Sequence, residues 1–146
     1  SPPLREEIDR DAVQLALSEG IIDIITSDHR PMSNDTKILP FSSASIGASG
    51  IETLLPLALS LRMKTSLSIY EILEKITLNP AKLVNLDYPK IQVGEIATFI
   101  VFDPNMNHII KQDELLTSPT PFHGRPVEGK NCLTFVNGNL LFINFD

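Results

Sequence analysis

Ile21-Ile22-Asp23-Ile24-Ile25-Thr26-Ser27-Asp28-His29 is the stretch on which the fold turns. Its first seven positions are short, β-branched and nearly all apolar, which predicts a buried strand of a parallel sheet over residues 21–27. Asp28 then stands at the C-terminal end of that strand. Upstream, Ile8, Ala12, Leu15, Ala16 and Glu19 fall at helical spacing, with Asp9 as a candidate N-cap and Gly20 as the stop. Two successive prolines, Pro2 and Pro3, make residues 1–8 a loop.

Downstream, residues 29–50 are rich in Ser, Pro, Asn and Gly and read as a long loop, a feature that is either functional or mobile in a compact domain. A helical pattern resumes over residues 50–63, with Pro56 near its start. Ser66 or Ser68 can cap a further helix through about Thr77, and Asn79-Pro80-Ala81 reads as a new cap opening a short helix to about Leu86. The composition changes after Asp87. A strand is predicted over residues 97–102, closed by Asp103-Pro104, with a second candidate over 108–111. Residues 133–136 and 140–145 flank Asn137-Gly138, a strong hairpin signal. The chain therefore divides into residues 1–86, in which helix and strand alternate in the α/β manner, and residues 87–146, which are β-rich. One strand with several helices does not complete an α/β sheet, because a parallel strand needs neighbours on its edges. Residues 1–86 read as the end of a barrel or sheet that began upstream.

Composition excludes several classes. Of 146 residues, 42% are hydrophobic and 21% charged, which excludes a wholly disordered tail. The formal net charge of −6 and the absence of a Lys/Arg cluster make nucleic acid a poor partner. The single cysteine, Cys132, allows no internal disulfide and points to a reducing compartment. No CxxC spacing supports a cysteine-based zinc ribbon. The most apolar segment, residues 51–63, carries Glu52, Pro56 and Arg62 and cannot span a bilayer. No signal-peptide pattern is visible, so the expected location is cytoplasmic.

Two segments can carry chemistry. An acid at the end of a buried strand, followed by a long loop, is where α/β barrels place their active sites. There Asp28 can ligate a divalent metal and move a proton. Equally, Asp28 can cap a turn while His29 is an exposed loop residue. The second segment runs from Leu39-Pro40-Phe41 through Ile46-Gly47-Ala48-Ser49-Gly50-Ile51-Glu52-Thr53. Its small residues let a backbone approach a ligand closely, and a helix opening at Gly50 can present free N–H groups to an anion. The Gly-Lys-Ser/Thr ending of a phosphate loop is missing, and an ordinary flexible loop fits the same residues. His123 reads as a turn residue, and neither it nor His108 has a second ligand at useful spacing. Cys132 reads as packing, and no nucleophile-elbow pattern supports a Ser-His-Asp triad.

Taken in order, Pro2-Pro3-Leu4-Arg5, the 22–29 segment, Leu39-Pro40-Phe41, Gly47, Gly50-Ile51-Glu52-Thr53-Leu54-Leu55-Pro56-Leu57, Asn79-Pro80-Ala81, Val93-Gly94 and Pro121-Phe122 resemble the C-terminal third of the dihydroorotases, the cyclic amidohydrolases of pyrimidine synthesis. The Gly50–Leu57 segment favours that family over the hydantoinases and allantoinases. The resemblance implies an α/β fold: the C-terminal end of a metal-dependent (β/α)8 barrel, with residues 21–27 as the last barrel strand, plus part of a small β-sandwich. It implies zinc held mostly by upstream residues, including a His-x-His pair absent from this chain. Asp28 matches the aspartate that ligates metal, takes the proton of the metal-bound hydroxide and delivers it to the leaving amide nitrogen. The implied reaction is reversible opening of dihydroorotate to N-carbamoyl-aspartate, and this chain alone is expected to be inactive.

Two positions depart from the family pattern. Ser1 stands where an Asn helps hold substrate, and Met32 stands where a His often binds the substrate carboxylate. A thioether donates no hydrogen bond, and a lost charge-assisted contact costs about 1.5–3 kcal/mol. Arg30 is a candidate replacement cation, and the backbone of Ile46 and Gly47 would supply further substrate contacts. These departures keep open a non-catalytic dihydroorotase-like scaffold that partners aspartate transcarbamoylase, and an independently folded binding module is a third reading. The partners implied are a small-molecule substrate, the remainder of the same polypeptide, and a homodimer or aspartate transcarbamoylase, with neither nucleic acid nor membrane. The inner face of the 21–25 segment is expected to be exposed or packed on another chain.

Overall fold

Helix α1, Glu7–Ser18, is the first element of the computed structural model, which describes residues 4–88, 90–116 and 119–144. It starts two residues before Asp9: the extended Glu6 is the N-cap, and Asp9 lies in the first turn, where its charge favours the positive end of the helix. Gly20, in the left-handed region at φ 72°, ends the helix. The Ile21 and Gly20 N–H groups fold back onto the carbonyls of Ala16 and Leu17, a Schellman closure. Only Leu17 of this helix is buried. The apolar positions at helical spacing are largely uncovered, with Leu15 58% exposed.

Residues 21–27 belong to no sheet among the described residues. Among the described residues no segment pairs with them in a ladder, and helical groups take up their peptide atoms instead. Lys75 Nζ donates to the Ile22 carbonyl at 2.5 Å, Asn79 Nδ2 donates to the Asp23 carbonyl at 2.9 Å, and the Ile25 N–H donates to the Lys75 carbonyl at 2.9 Å. Ile22 and Ile25 pack against the core of Leu17, Ala58, Leu67 and Ile72, flanked by Leu61 and Ile76. None of residues 21–27 is fully buried: Ile22, Ile24, Ile25 and Ser27 are half-buried and Ile21 is 70% exposed, so the segment is less covered than the sequence suggested. The ladder is missing because a strand is defined by its neighbours, and the described residues supply none.

The 29–50 stretch is a loop interrupted by the short helix α2, Asn34–Lys37. The helical pattern after Gly50 resolves into α3, Leu54–Leu59, followed by a 3-10 turn, Ser60–Met63. Helix α4, Ile69–Ile76, carries a complete capping box: the Glu71 N–H donates to Ser68 Oγ while the Glu71 carboxylate accepts from the Ser68 N–H. Helix α5, Leu78–Leu83, begins one residue before Asn79, whose side chain is engaged with Asp23 and caps nothing. Asn85, at φ 52°, closes it earlier than Leu86.

The second half forms one antiparallel sheet in the order β1-β2-β3, with β1 Phe99–Ile109, β2 Pro126–Val136 and β3 Asn139–Ile143. The two strands expected on either side of Asp103-Pro104 are one strand with an irregularity. Asp103 pairs with Lys130 and Asn107 with Glu128, so the residues around Pro104 bulge out of the ladder, where a missing N–H does no harm. Asn137 and Gly138, both at positive φ, make the tight hairpin turn between β2 and β3. The sheet sits on α3: Gly129 lies so close to the buried Leu59 that a methyl group there would meet its Cδ1 at 2.3 Å. Arg62 ties the two layers, donating to Glu128 Oε2 and to the Pro104 carbonyl. Cys132 is buried in β2, in the packing role its sequence context suggests.

The chain exposes 10314 Å² of surface, against about 7,500 Å² for an ordinary monomer of its mass. The excess includes the outer face of α1 and all of β3. Among the described residues no helix is long and apolar enough to cross a membrane.

Candidate active site around Asp28

The extended run ends in a left-handed turn. Asp28 has φ 43°, a conformation that costs an L-residue roughly 1–2 kcal/mol and that Asp tolerates better than most. The turn sends successive side chains in different directions. The Asp28 carboxylate faces solvent, 42% exposed, with Oδ1 3.1 Å from Arg30 Nε. An ion pair this open contributes at most about 1 kcal/mol, so Arg30 can leave Asp28 for another anion at little cost.

His29 turns inward. Its Nδ1 accepts from the N–H groups of both Gly50 and Ile51, each at 3.2 Å. Two donors at one nitrogen fix the tautomer with the proton on Nε2. One residue on, the Arg30 N–H donates to the Ala48 carbonyl at 2.9 Å. Glycines make this closeness possible. Gly47 is buried at φ 134°, and a Cβ there would lie 2.6 Å from the Arg30 carbonyl oxygen and 3.4 Å from Met32 Cε. A Cβ on Gly50 would lie 2.9 Å from the Ser27 carbonyl oxygen. The 46–51 loop is therefore laid along residues 27–32. It is held from behind as well: the Ser49 N–H donates to the Pro119 carbonyl, Lys37 Nζ to the Ser45 carbonyl, and the Leu116 N–H to Glu52 Oε1.

Asp28, Arg30, Met32 and Gly47 come together at one end of the 21–27 segment, with the exposed Ile46 beside them. Ser1 lies outside the described residues. His29 is half-buried and bonded, so its reading as an exposed loop residue is overturned. The anion site at Gly50 is overturned too: α3 starts only at Leu54, and the Gly50 and Ile51 N–H groups already serve His29. His123 is a turn residue whose Nδ1 accepts from the Gln112 N–H. Sequence reasoning missed the His29 contact and the Lys75–Asn79 clamp. Their partners lie 21 to 56 residues away in sequence, and no local pattern announces them.

The fit to a zinc ion is partial. Among the described residues no three His, Cys, Asp or Glu side chains gather. The chain contributes one hard anionic ligand, the accessible Asp28 carboxylate, while Nδ1 of the adjacent His29 is already engaged. One carboxylate does not hold zinc, which takes about four ligands in protein sites.

The chain is similar to known proteins over nearly its whole length. The model of the amidohydrolase family matches residues 2–141. The dihydroorotase of Clostridium acetobutylicum is 37% identical over 145 residues, covering 97% of this chain and 34% of its own length. Among solved structures, the dihydropyrimidinase of Brevibacillus agri superposes with a TM-score of 0.88 at 27% identity, over 99% of this chain and 33% of that one. The L-hydantoinase of Arthrobacter aurescens does so with a TM-score of 0.85 at 30% identity, over 96% and 33%. The chain spans about a third of the length of the curated relatives it matches. Its similarity to the dihydroorotases runs through the whole segment that places Asp28, Gly47 and Gly50 together, and the chain belongs to the amidohydrolase family.

Proposed function

We propose that the protein carrying this segment is a zinc-dependent, cytoplasmic dihydroorotase that reversibly hydrolyses the cyclic amide of dihydroorotate to N-carbamoyl-aspartate in pyrimidine synthesis. The observation that carries the reading is Asp28: an accessible carboxylate on a strained turn at the end of a half-buried apolar segment, with a glycine-built loop beside it. A bound divalent metal supplies Lewis acidity and lowers the pKa of water. Within this chain, Asp28 is one ligand oxygen and the base that takes the proton of the attacking water and passes it to the leaving amide nitrogen. Arg30 is free to exchange its partner for a substrate carboxylate, the task the Met32 thioether cannot perform. The backbone of Ile46 and Gly47 lines the substrate on the other side.

In this reading the other metal ligands come from polypeptide that also completes the barrel and covers the exposed faces of α1 and β3, and these 146 residues alone are inactive. A small-molecule substrate is the primary partner, and a second copy or aspartate transcarbamoylase is a further candidate for the uncovered surface. The test is ring-opening turnover and zinc content of the full-length protein. Asp28→Ala is expected to keep the fold and lower turnover by about 10²–10⁴. Undiminished turnover in that variant overturns the proton role. A folded full-length protein with neither zinc nor turnover overturns the enzyme reading and leaves the non-catalytic scaffold.

A further inference from the structure

We propose that His29 is the positioning residue of this site: its imidazole sets the height of the 46–51 loop over Asp28, so that the backbone of Ile46 and Gly47 meets the substrate. The inference rests on the dihydroorotase reading above. Its geometry comes from this chain. Asp28 and His29 are consecutive, and the left-handed turn at Asp28 sends one side chain out and the other in. The inward imidazole ends on two adjacent backbone donors, Gly50 and Ile51. A Cβ at Gly47 or Gly50 would crowd Arg30 or Ser27, and the Ile46 and Ile51 side chains are exposed. The bonds that tie the loop to residues 29–30 are polar: the shared Nδ1 of His29 and the bond from the Arg30 N–H to Ala48. These bonds couple the carboxylate-bearing turn to the loop, while the bonds to Pro119, Lys37 and Leu116 hold the loop from behind.

The acceptor position can be tested chemically, because Asn places an oxygen close to where His places Nδ1. In the full-length protein, His29→Ala is expected to raise KM for dihydroorotate about tenfold with kcat changed by less than about threefold. Amide exchange over residues 46–52 should quicken about tenfold while that of α4 stays unchanged. His29→Asn should restore both. Unchanged KM and unchanged loop exchange in His29→Ala overturn the proposal. If the unsubstituted protein does not turn over dihydroorotate, the function reading fails and exchange alone decides: loop protection lost in Ala and regained in Asn sustains the positioning role, and protection indifferent to His29 ends it. If His29→Ala does not fold, His29→Asn decides, with normal KM and exchange supporting the proposal and a raised KM refuting it.

Discussion

Replacing Gly47 with alanine pits two costs against each other. If the loop stays in place, the new methyl carbon lies 2.6 Å from the Arg30 carbonyl oxygen and 3.0 Å from Arg30 Cβ. The nearest of these atoms is backbone and cannot swing away. The residue must also keep φ 134°. Strain of that kind costs about 1–3 kcal/mol and overpacking about 1–3 more, roughly 2–6 in all. If the loop lifts instead, it gives up the bond from the Arg30 N–H to Ala48 and the two bonds to His29 Nδ1. Each is worth about 0.5–1.5 kcal/mol net, and the freed groups reach water, so the sum falls toward the low end. The loop lifts. Substrate contacts made by the loop backbone should then weaken by about 1–3 kcal/mol, seen as KM raised roughly tenfold to hundredfold with kcat little changed. Gly20→Ala is the control. It also sits at positive φ, 72°, but a Cβ there meets nothing within 4 Å. It should lower thermal stability by about 1–2 kcal/mol and leave KM alone. The assay is ring-opening kinetics beside thermal melts of the full-length protein. Normal KM in Gly47→Ala, or an equal rise in Gly20→Ala, refutes the reasoning.

Two further outcomes follow from the scaffold. Lys75→Met removes the Nζ donor to the Ile22 carbonyl from a residue that is 6% exposed, and stability should fall by about 1.5–3 kcal/mol, read from urea unfolding; an unchanged midpoint tells against the clamp. The hydroxyl and N–H of Ser68 hold the Glu71 carboxyl below its usual range. A depressed folded pKa gives a contribution that is complete above the unfolded carboxyl value and is lost as pH falls through the folded one. Amide exchange in α4 should therefore quicken on acidification below the ordinary carboxyl range. Glu71→Gln should remove that acid step, and an identical acid limb in the variant contradicts the assignment.

Local rules made much of this molecule legible. Gly20 ends a helix because only a residue at ease at positive φ closes a Schellman turn, and Ser68 with Glu71 announces a helix start by its spacing. Asn137-Gly138 dictates a hairpin because both residues tolerate the left-handed turn. The apolar run ending at Asp28 shows a segment that leans on the core with an acid at its end, though it is only half-buried, and the ordered resemblance points to the amidohydrolases. What sequence could not decide was anything set by a partner distant along the chain. Whether residues 21–27 form a ladder depends on neighbours, and here Lys75 and Asn79 occupy their peptide groups. Asn79 looked like a cap because its local context, Asn-Pro, suits one; a carbonyl at Asp23 took its amide instead. His29 looked like a solvated loop residue until the tertiary fold brought Gly50 and Ile51 within 3.2 Å of its Nδ1. Turns and caps follow from the torsions of a few adjacent residues, whereas the contacts that assemble a site are chosen by packing, which no local stretch encodes.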